Sequence, residues 1–323
     1  MKHSISVVIP NYNGRYLLEK NLPSIFRALE NFAGNFEVIV ADDASQDDSI
    51  SFLELNYPQV FLVKNTVNRG FSSNINSGLK KAKCSLVLAL NNDVSLDPHY
   101  FKHLLPHFNH SSDTFGVMGS LCHPDTQEVQ DGAKLCELSW FGLLRSTRNL
   151  ISPSSPTLPS LFLSGANALM DRGKLAHLGF YDELFDPFYN EDVELGIRAW
   201  RMGWKCYFDS RARAYHFPSS TIKSTSSAQR IRLVSLRNRL ILHDIHLDGM
   251  KRFFFLLKIL CDFVSRWMTL DFTFYQALID FFSKRKDILK SKNIFLSLGP
   301  SWSFYEICQF LAKNQKGKSC KTF

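Results

Sequence analysis

The sequence predicts an α/β protein with a Rossmann-like, mainly parallel sheet, helices on both of its faces, and a helical extension at the C-terminal end. Three observations predict it. Strand-like and helix-like segments alternate through residues 4–108, the pattern of successive βαβ units. Leu86-Val87-Leu88-Ala89-Leu90 is an unbroken apolar run that stops at Asn91-Asn92-Asp93, as a strand buried on both faces does when it reaches an edge. From residue 228 onward the chain reads as helices alone.

Residues 4–9 form an apolar strand closed by Pro10-Asn11-Tyr12-Asn13-Gly14. Leu17, Leu18, Leu22, Ile25, Phe26 and Leu29 then recur at helical spacing. Phe36-Glu37-Val38-Ile39-Val40-Ala41 is a second strand ending at Asp42-Asp43, and Ser45 is the expected N-cap of the next helix, with Asp47 and Asp48 in its first turn. A short third strand at Val60-Phe61-Leu62-Val63 leads through Asn68-Arg69-Gly70 to a helix over residues 71–82. The apolar strand at 85–90 follows, then a helix over 97–108 entered at Asp97-Pro98. Residues 115–170 carry shorter strand-like pieces, including 162–170 with Gly165 where something approaches the backbone, and a mobile loop is expected over 152–159. A helix over 192–202 stops at Gly203, and two short strands, 205–208 and 212–215, end at His216.

Composition narrows the class. The 323 residues are 45% hydrophobic and 21% charged, which excludes a disordered chain. The 7 Cys show no C-x-x-C pair and no regular spacing, which argues against a zinc site or a disulfide framework and fits a reducing cytosol. The apolar run at the start is too short for a signal peptide, so a cytoplasmic location is expected. Residues 1–227 carry 21 Lys and Arg against 23 Asp and Glu, and residues 228–323 carry 17 against 7, so the excess positive charge sits in the last part. Within that part, the apolar stretch 253–264 is interrupted by Lys258 and Asp262 and is shorter than the roughly 18–20 residues that span a bilayer. Lys251, Arg252, Arg266 and Lys284-Arg285-Lys286 flank it. It reads either as a helix in the interface of a membrane or as a packed helix with a solvated basic face. The basic residues alternate with long apolar runs, which disfavours a nucleic-acid partner.

Three polar tips fall at the ends of successive parallel strands: Pro10-Asn11-Tyr12-Asn13, Asp42-Asp43 and Asn91-Asn92-Asp93. Ligands of open α/β sheets bind at that edge. Tips two or three strands apart, at roughly 4.8 Å per strand, match the length of a nucleotide diphosphate. A carboxylate on the second tip can accept a hydrogen bond from a pyrimidine ring, and Asp93 can reach a diphosphate through a divalent cation. Further on, Glu191-Asp192 opens a helix, either as charge that complements the helix dipole or as a general base.

These motifs together, with Asn74 and Gly78 after Asn68-Arg69-Gly70, resemble the family-2 glycosyltransferases of GT-A fold, most closely their rhamnosyltransferase-like branch, over residues 4–245. The resemblance implies a GT-A domain at 1–227 and an extension at 228–323. It implies that Pro10, Tyr12 and Asn13 line the base pocket, that Asp42 reads the pyrimidine, and that Asn68, Arg69, Gly70 and Asn74 lie near the ribose and diphosphate. Asn92 and Gly165 join the donor site. Asp93 matches the last carboxylate of the family's D-x-D metal motif, and Asn91 stands where its first Asp often stands. Asp93 and His216 are the implied ligands of Mn2+ or Mg2+. Asp192 matches the catalytic base, with Glu191 orienting the acceptor or the base. Arg237-Asn238 matches a recurring pair that either supports the diphosphate or packs.

The implied reaction is inverting transfer from a nucleotide diphosphate sugar, dTDP-rhamnose first and UDP- or GDP-sugars next, to a cell-surface glycan or lipid-linked acceptor at the inner face of the cytoplasmic membrane. Segment 144–160 is expected to be the acceptor loop. The competing classes are a sugar-1-phosphate nucleotidyltransferase, which needs a Gly-rich basic loop where this chain has a single Gly at Gly14, and a catalytically silent nucleotide-sugar-binding module.

Overall fold

The computed structural model describes residues 3–139, 143–216, 226–314 and 321–322. Among them, the central sheet is built on β1 (Ile5–Asn11), β2 (Phe36–Asp42), β3 (Phe61–Lys64) and β4 (Leu86–Leu90), which pair in parallel in the order β4-β1-β2-β3. The sheet continues from β4 through β11 (Asn167–Asp171), β6 (Thr114–Cys122), β12 (Lys205–His216) and β10 (Thr157–Pro159). β11 runs antiparallel to both of its neighbours, so the sheet is mixed. β5 (Val94–Leu96) and β7 (Val129–Asp131) add to its side, and β8 (Ala133–Leu138) with β9 (Leu144–Ile151) and β13 (Lys321–Thr322) makes a second, small sheet.

Alternation along the strands assigns the two faces. Ile5, Val7 and Ile9 of β1 pack with Leu18, Leu22, Ile25 and Leu29 of α1 (Arg15–Phe32). Val8 points the other way, toward Ile75 and Leu79 of α3 (Phe71–Leu79). That second core runs on into the C-terminal helices. Ile241 and Leu242 of α8 (Ala228–His246), Phe274 and Phe281 of α10 (Phe272–Ser283), Ile288 of α11 (Arg285–Ser297) and Ile307 of α12 (Phe304–Lys313) all belong to it. Each fully buried side chain of this kind contributes about 1.5–3 kcal/mol, so these helices are structurally continuous with the sheet.

Local departures from the sequence reading have identifiable causes. α2 (Ser49–Asn56) starts at Ser49 rather than after Ser45. The Ser45 hydroxyl instead donates to Asp42 Oδ2 (2.7 Å), while Asp47 Oδ1 accepts from the Ser49 amide (3.1 Å). The helix expected over 97–108 divides into α4 (Tyr100–Leu104) and α5 (Pro106–His110), because Pro106 has no amide hydrogen to continue the ladder. The strand expected over 162–170 is only β11, and Gly165 lies in the turn before it. The two strands expected at 205–215 are one, with a bulge between Asp209 and Arg213. The expected loop over 144–160 contains β9 and β10, leaving only 152–156 between strands. The Phe217-Pro218-Ser219-Ser220 run after His216 lies outside the described residues.

Candidate active site

The tips of β2, β1 and β4 stand side by side at one edge of the sheet, and a cleft of about 670 Å³ opens over them. Pro10, Tyr12, Asn68, Gly70 and Asn74 line one flank, Asn92 and Asp93 the floor, and Gly165, Glu191, Asp192 and His216 the other side. The remaining expected residues, Asn13, Asp42 and Arg69, are not part of the lining.

Asp42 is fully buried beneath the floor. Its Oδ1 accepts from the Ser45 amide (2.9 Å), and its Oδ2 accepts from Asn11 Nδ2 (2.9 Å) as well as from Ser45. The next residue faces the cleft instead. Asp43 lines the cleft, its Oδ2 accepting from the amides of Arg69 and Gly70 (both 3.1 Å) and its Oδ1 from Asn65 Nδ2 (3.3 Å). Burial pushes its carboxyl above the usual Asp range, against the pull of these bonds. Asn13 folds back from the cleft with φ 49°, its Oδ1 accepting from the Gln46 amide (2.7 Å). Arg69 contributes its backbone amide to Asp43. Asn11 ties the tips together, since its Oδ1 accepts from Asn92 Nδ2 (2.9 Å) and its backbone oxygen from Asn74 Nδ2 (3.3 Å).

Across the floor, β5 pairs with the end of β12 and sets His216 opposite Val94. His216 Nε2 therefore lies 3.3 Å from Asp93 Oδ2, and its Nδ1 lies 3.2 Å from Gln130 Oε1. One carboxylate oxygen and one imidazole nitrogen, with the second ring nitrogen held by an amide, form a donor set suited to Mn2+ more than to Mg2+. Among the described residues no third His, Cys, Asp or Glu joins them. This pair fits a cation whose other positions are filled by water or by a ligand's phosphate oxygens.

The far side is built by the segment between Asp186 and Asp192. Tyr189 and Asn190 both adopt left-handed backbone, φ 75° and 71°, and turn the chain into α7 (Glu191–Arg201). Two non-glycine residues in that region cost energy that neighbouring contacts must offset. Asn238 of α8 supplies them, its Nδ2 donating to the carbonyls of Phe185 (2.6 Å), Phe188 (3.0 Å) and Tyr189 (2.8 Å). Arg237 donates to the Asp186 carbonyl (2.5 Å) and to Asn238 Oδ1 (2.9 Å). The Arg237-Asn238 pair thus holds the segment that carries Glu191 and Asp192. Asp186 itself caps α3, accepting from the amides of Ser72 (2.8 Å) and Ser73 (3.1 Å). Gly70, at φ 108°, permits this approach, since a Cβ there would stand 2.7 Å from Pro187 Cα.

Glu191 and Asp192 titrate as a coupled pair. Burial raises both, and the charge of Asp192 raises Glu191 further, well above the carboxylate range. For Asp192 the Val193 amide (2.8 Å) and the charge of Lys134 hold part of the rise back. Glu191 Oε2 is buried with no hydrogen-bond partner among the described residues. Tyr189 and Arg230 also border the cleft without having been singled out in the sequence, and Asp43, named there only as part of the Asp42-Asp43 tip, borders it too. The period-two register of β2 was the available signal for Asp43, because Asp42 is the last residue of that strand and pairs with Asn11.

Residues 6–179 match the sequence pattern of glycosyl transferase family 2. The chain belongs to that family. This family-2 chain is 26% identical over 217 residues to validoxylamine A glucosyltransferase of Streptomyces hygroscopicus subsp. jinggangensis, covering 60% of itself and 50% of the relative. It is 23% identical over 241 residues to chondroitin synthase of Pasteurella multocida, covering 66% of itself and 24% of that protein. It thus spans between a quarter and a half of these curated relatives. In fold it is similar to GalNAc-T7, solved with UDP, GalNAc and Mn2+, at a TM-score of 0.61 and 18% identity over 77% of this chain and 49% of the other. It is also similar to the mannosyltransferase PcManGT of Pyrobaculum calidifontis, solved with GDP-Man and Mn2+, at a TM-score of 0.52 and 15% identity over 96% and 84% of the two chains. These likenesses establish the GT-A fold of the family-2 chain.

Proposed function

We propose that this family-2 chain is an inverting glycosyltransferase that moves a sugar from a nucleotide diphosphate sugar to a hydroxyl of a glycan or lipid-linked acceptor. The observation that carries this reading is a single cleft that brings the Asp93–His216 pair together with a carboxylate pair, buried Glu191 and half-buried Asp192. The nucleotide base lies between Tyr12 and Asp43, which takes the base-reading role first expected of Asp42. Asp93 and His216 hold Mn2+ or Mg2+, which when bound offsets the charge of the diphosphate. Asp192 takes the proton of the acceptor hydroxyl. The hydroxyl oxygen forms its bond to the anomeric carbon as the bond to the diphosphate breaks, and the diphosphate leaves with the electron pair. Attack from the face opposite the leaving group inverts the anomeric centre. Glu191 orients the acceptor or the base.

A dTDP-rhamnose donor is the first to test, with UDP- and GDP-sugars beside it, and the expected setting is the inner face of the cytoplasmic membrane. A donor panel with Mn2+ and with Mg2+, read as release of nucleoside diphosphate, tests the reading. Turnover of at least one donor that disappears in Asp192→Asn supports it. Nucleotide binding with no turnover of any donor sinks it in favour of a silent binding module.

A further inference from the structure

The helix α9 (Gly249–Met268) packs in reverse. A surface helix normally buries its apolar stripe and exposes its charges. In α9 only Phe255 is buried, stacked on His243 of α8 at 5.3 Å between ring centres. Phe253, Leu256, Leu257, Leu260, Phe263, Val264, Trp267 and Met268 are all exposed. At about 100° per residue these eight fall in one sector of about 140°. Lys251, Arg252, Asp262 and Arg266 lie off this stripe and are partly covered, while Lys258 is exposed and pairs with Asp262 within the helix. Arg252 pairs with Asp244 (3.1 Å) and Arg266 with Asp271 (2.5 Å). Leu270, in the turn to α10, and Phe272, the first residue of α10, extend the exposed apolar surface. No helix among the described residues is long and apolar enough to cross a membrane.

We propose that α9 and the turn after it lie in the headgroup region of an anionic bilayer, apolar stripe inward. Charge selects this occupant. The region from residue 228 carries 17 basic against 7 acidic residues. Lys286 and Lys290 of α11 are exposed and take part in none of the ion pairs among the described residues. In-plane helices of this kind combine a buried apolar face with cationic attraction to anionic lipid. A groove of about 530 Å³ beside the cleft is lined by Tyr189, Ile231, Arg232 and Ser235. Arg232 pairs with Asp271 there (2.7 Å), one residue beyond exposed Leu270. Docking therefore brings the acceptor side of the cleft to the lipid surface. The docking rests on the proposed transfer to a lipid-linked acceptor only for its purpose.

The test uses the full chain with phosphatidylcholine vesicles, with and without phosphatidylglycerol, and no sugar present. The chain sediments with the anionic vesicles, and its tryptophan emission shifts to the blue. Trp267→Phe removes most of that shift while leaving binding. The double change Leu260→Glu, Val264→Glu lowers the bound fraction at least tenfold and leaves the circular dichroism melt unchanged. Lys286→Glu with Lys290→Glu weakens binding severalfold and flattens its dependence on salt. Wild-type chain that stays in the supernatant overturns the proposal, as does binding that survives the double change. A concentration-dependent dimer that the double change dissolves, in place of vesicle binding, reassigns the stripe to a second copy. Vesicle binding without sugar transfer sinks the enzymatic reading and leaves the docking; transfer without vesicle binding does the reverse.

Discussion

The two sides of the cleft are built on opposite principles. On the donor side, Asn11, Asp42, Ser45 and Asn92 satisfy one another through short hydrogen bonds at the ends of adjacent parallel strands. On the acceptor side, two left-handed residues lead to a carboxylate pair with an unpartnered buried oxygen, and a side chain about 50 residues further along holds the loop in place. A surface that only binds can be fully satisfied. A group that must take a proton near neutral pH has to be poorly solvated, and its surroundings carry that cost. The difference places the support of the segment that carries Glu191 and Asp192 on α8, outside residues 6–179 that match the family pattern.

Substitutions can break or sharpen this contrast. The largest effect is expected for Asp192→Asn, which lowers kcat by about 10³-fold, or about 4 kcal/mol, while nucleotide affinity by calorimetry stays within twofold. A parallel loss of affinity would mean the two sides are not separate. Next, Asn238→Ala leaves three carbonyls without their donor and destabilises the fold by about 2–3 kcal/mol, read by chemical denaturation. It lowers kcat more than it changes KM for the donor, and Asn238→Asp does not restore either. On the donor side, Asp43→Asn weakens nucleotide binding about tenfold, the scale of one charged hydrogen bond, without moving kcat. Asp42→Asn destabilises by about 1–2 kcal/mol with nucleotide affinity intact, and the reverse ranking of these two would restore Asp42 as the base reader.

The smallest effect concerns pH. Asp192 must be ionised to act, and burial raises it above the ordinary Asp value of 3.8. The ascending limb of kcat therefore lies above that value. Burial and the charge of Asp192 raise Glu191 well above its ordinary 4.5, and with Asp192 as the base Glu191→Gln leaves that limb in place. A limb that moves down in the variant would show the two exchanging roles. For stability the sign is the same for both groups. A raised folded-state value favours folding below the ordinary carboxylate range, and that contribution is lost as pH rises through the raised values.

Much of the donor side was legible in the sequence, for a physical reason. A strand covered on both faces needs an uninterrupted apolar run, and the residue where the run stops marks the sheet edge, so Asp93 and the Asn11 tip follow directly. Alternation with period two makes the same reading sensitive to a single position, which is why the cleft received Asp43 and the floor received Asp42. The acceptor side was legible as residues and not as a shape. Glu191 and Asp192 stand out locally, but nothing local encodes that Asn238 reaches the Phe185, Phe188 and Tyr189 carbonyls. The helix α9 shows the same limit. Its stripe can be counted in the sequence, whereas the direction the stripe faces is set by where Asp244 and Asp271 draw its cations.

One consequence follows from how α3 begins. The start of a helix is a natural socket for phosphate, since its first amides have no partner within the helix. Here that socket is stoppered. The Phe71 amide donates to the Pro187 carbonyl (2.9 Å), and the amides of Ser72 and Ser73 donate to Asp186. A diphosphate entering the cleft finds those amides already engaged by a carboxylate of like charge. On the proposed function, that charge would be met at the Asp93 and His216 corner, and Asp186 would bear on how strongly the cleft depends on a cation.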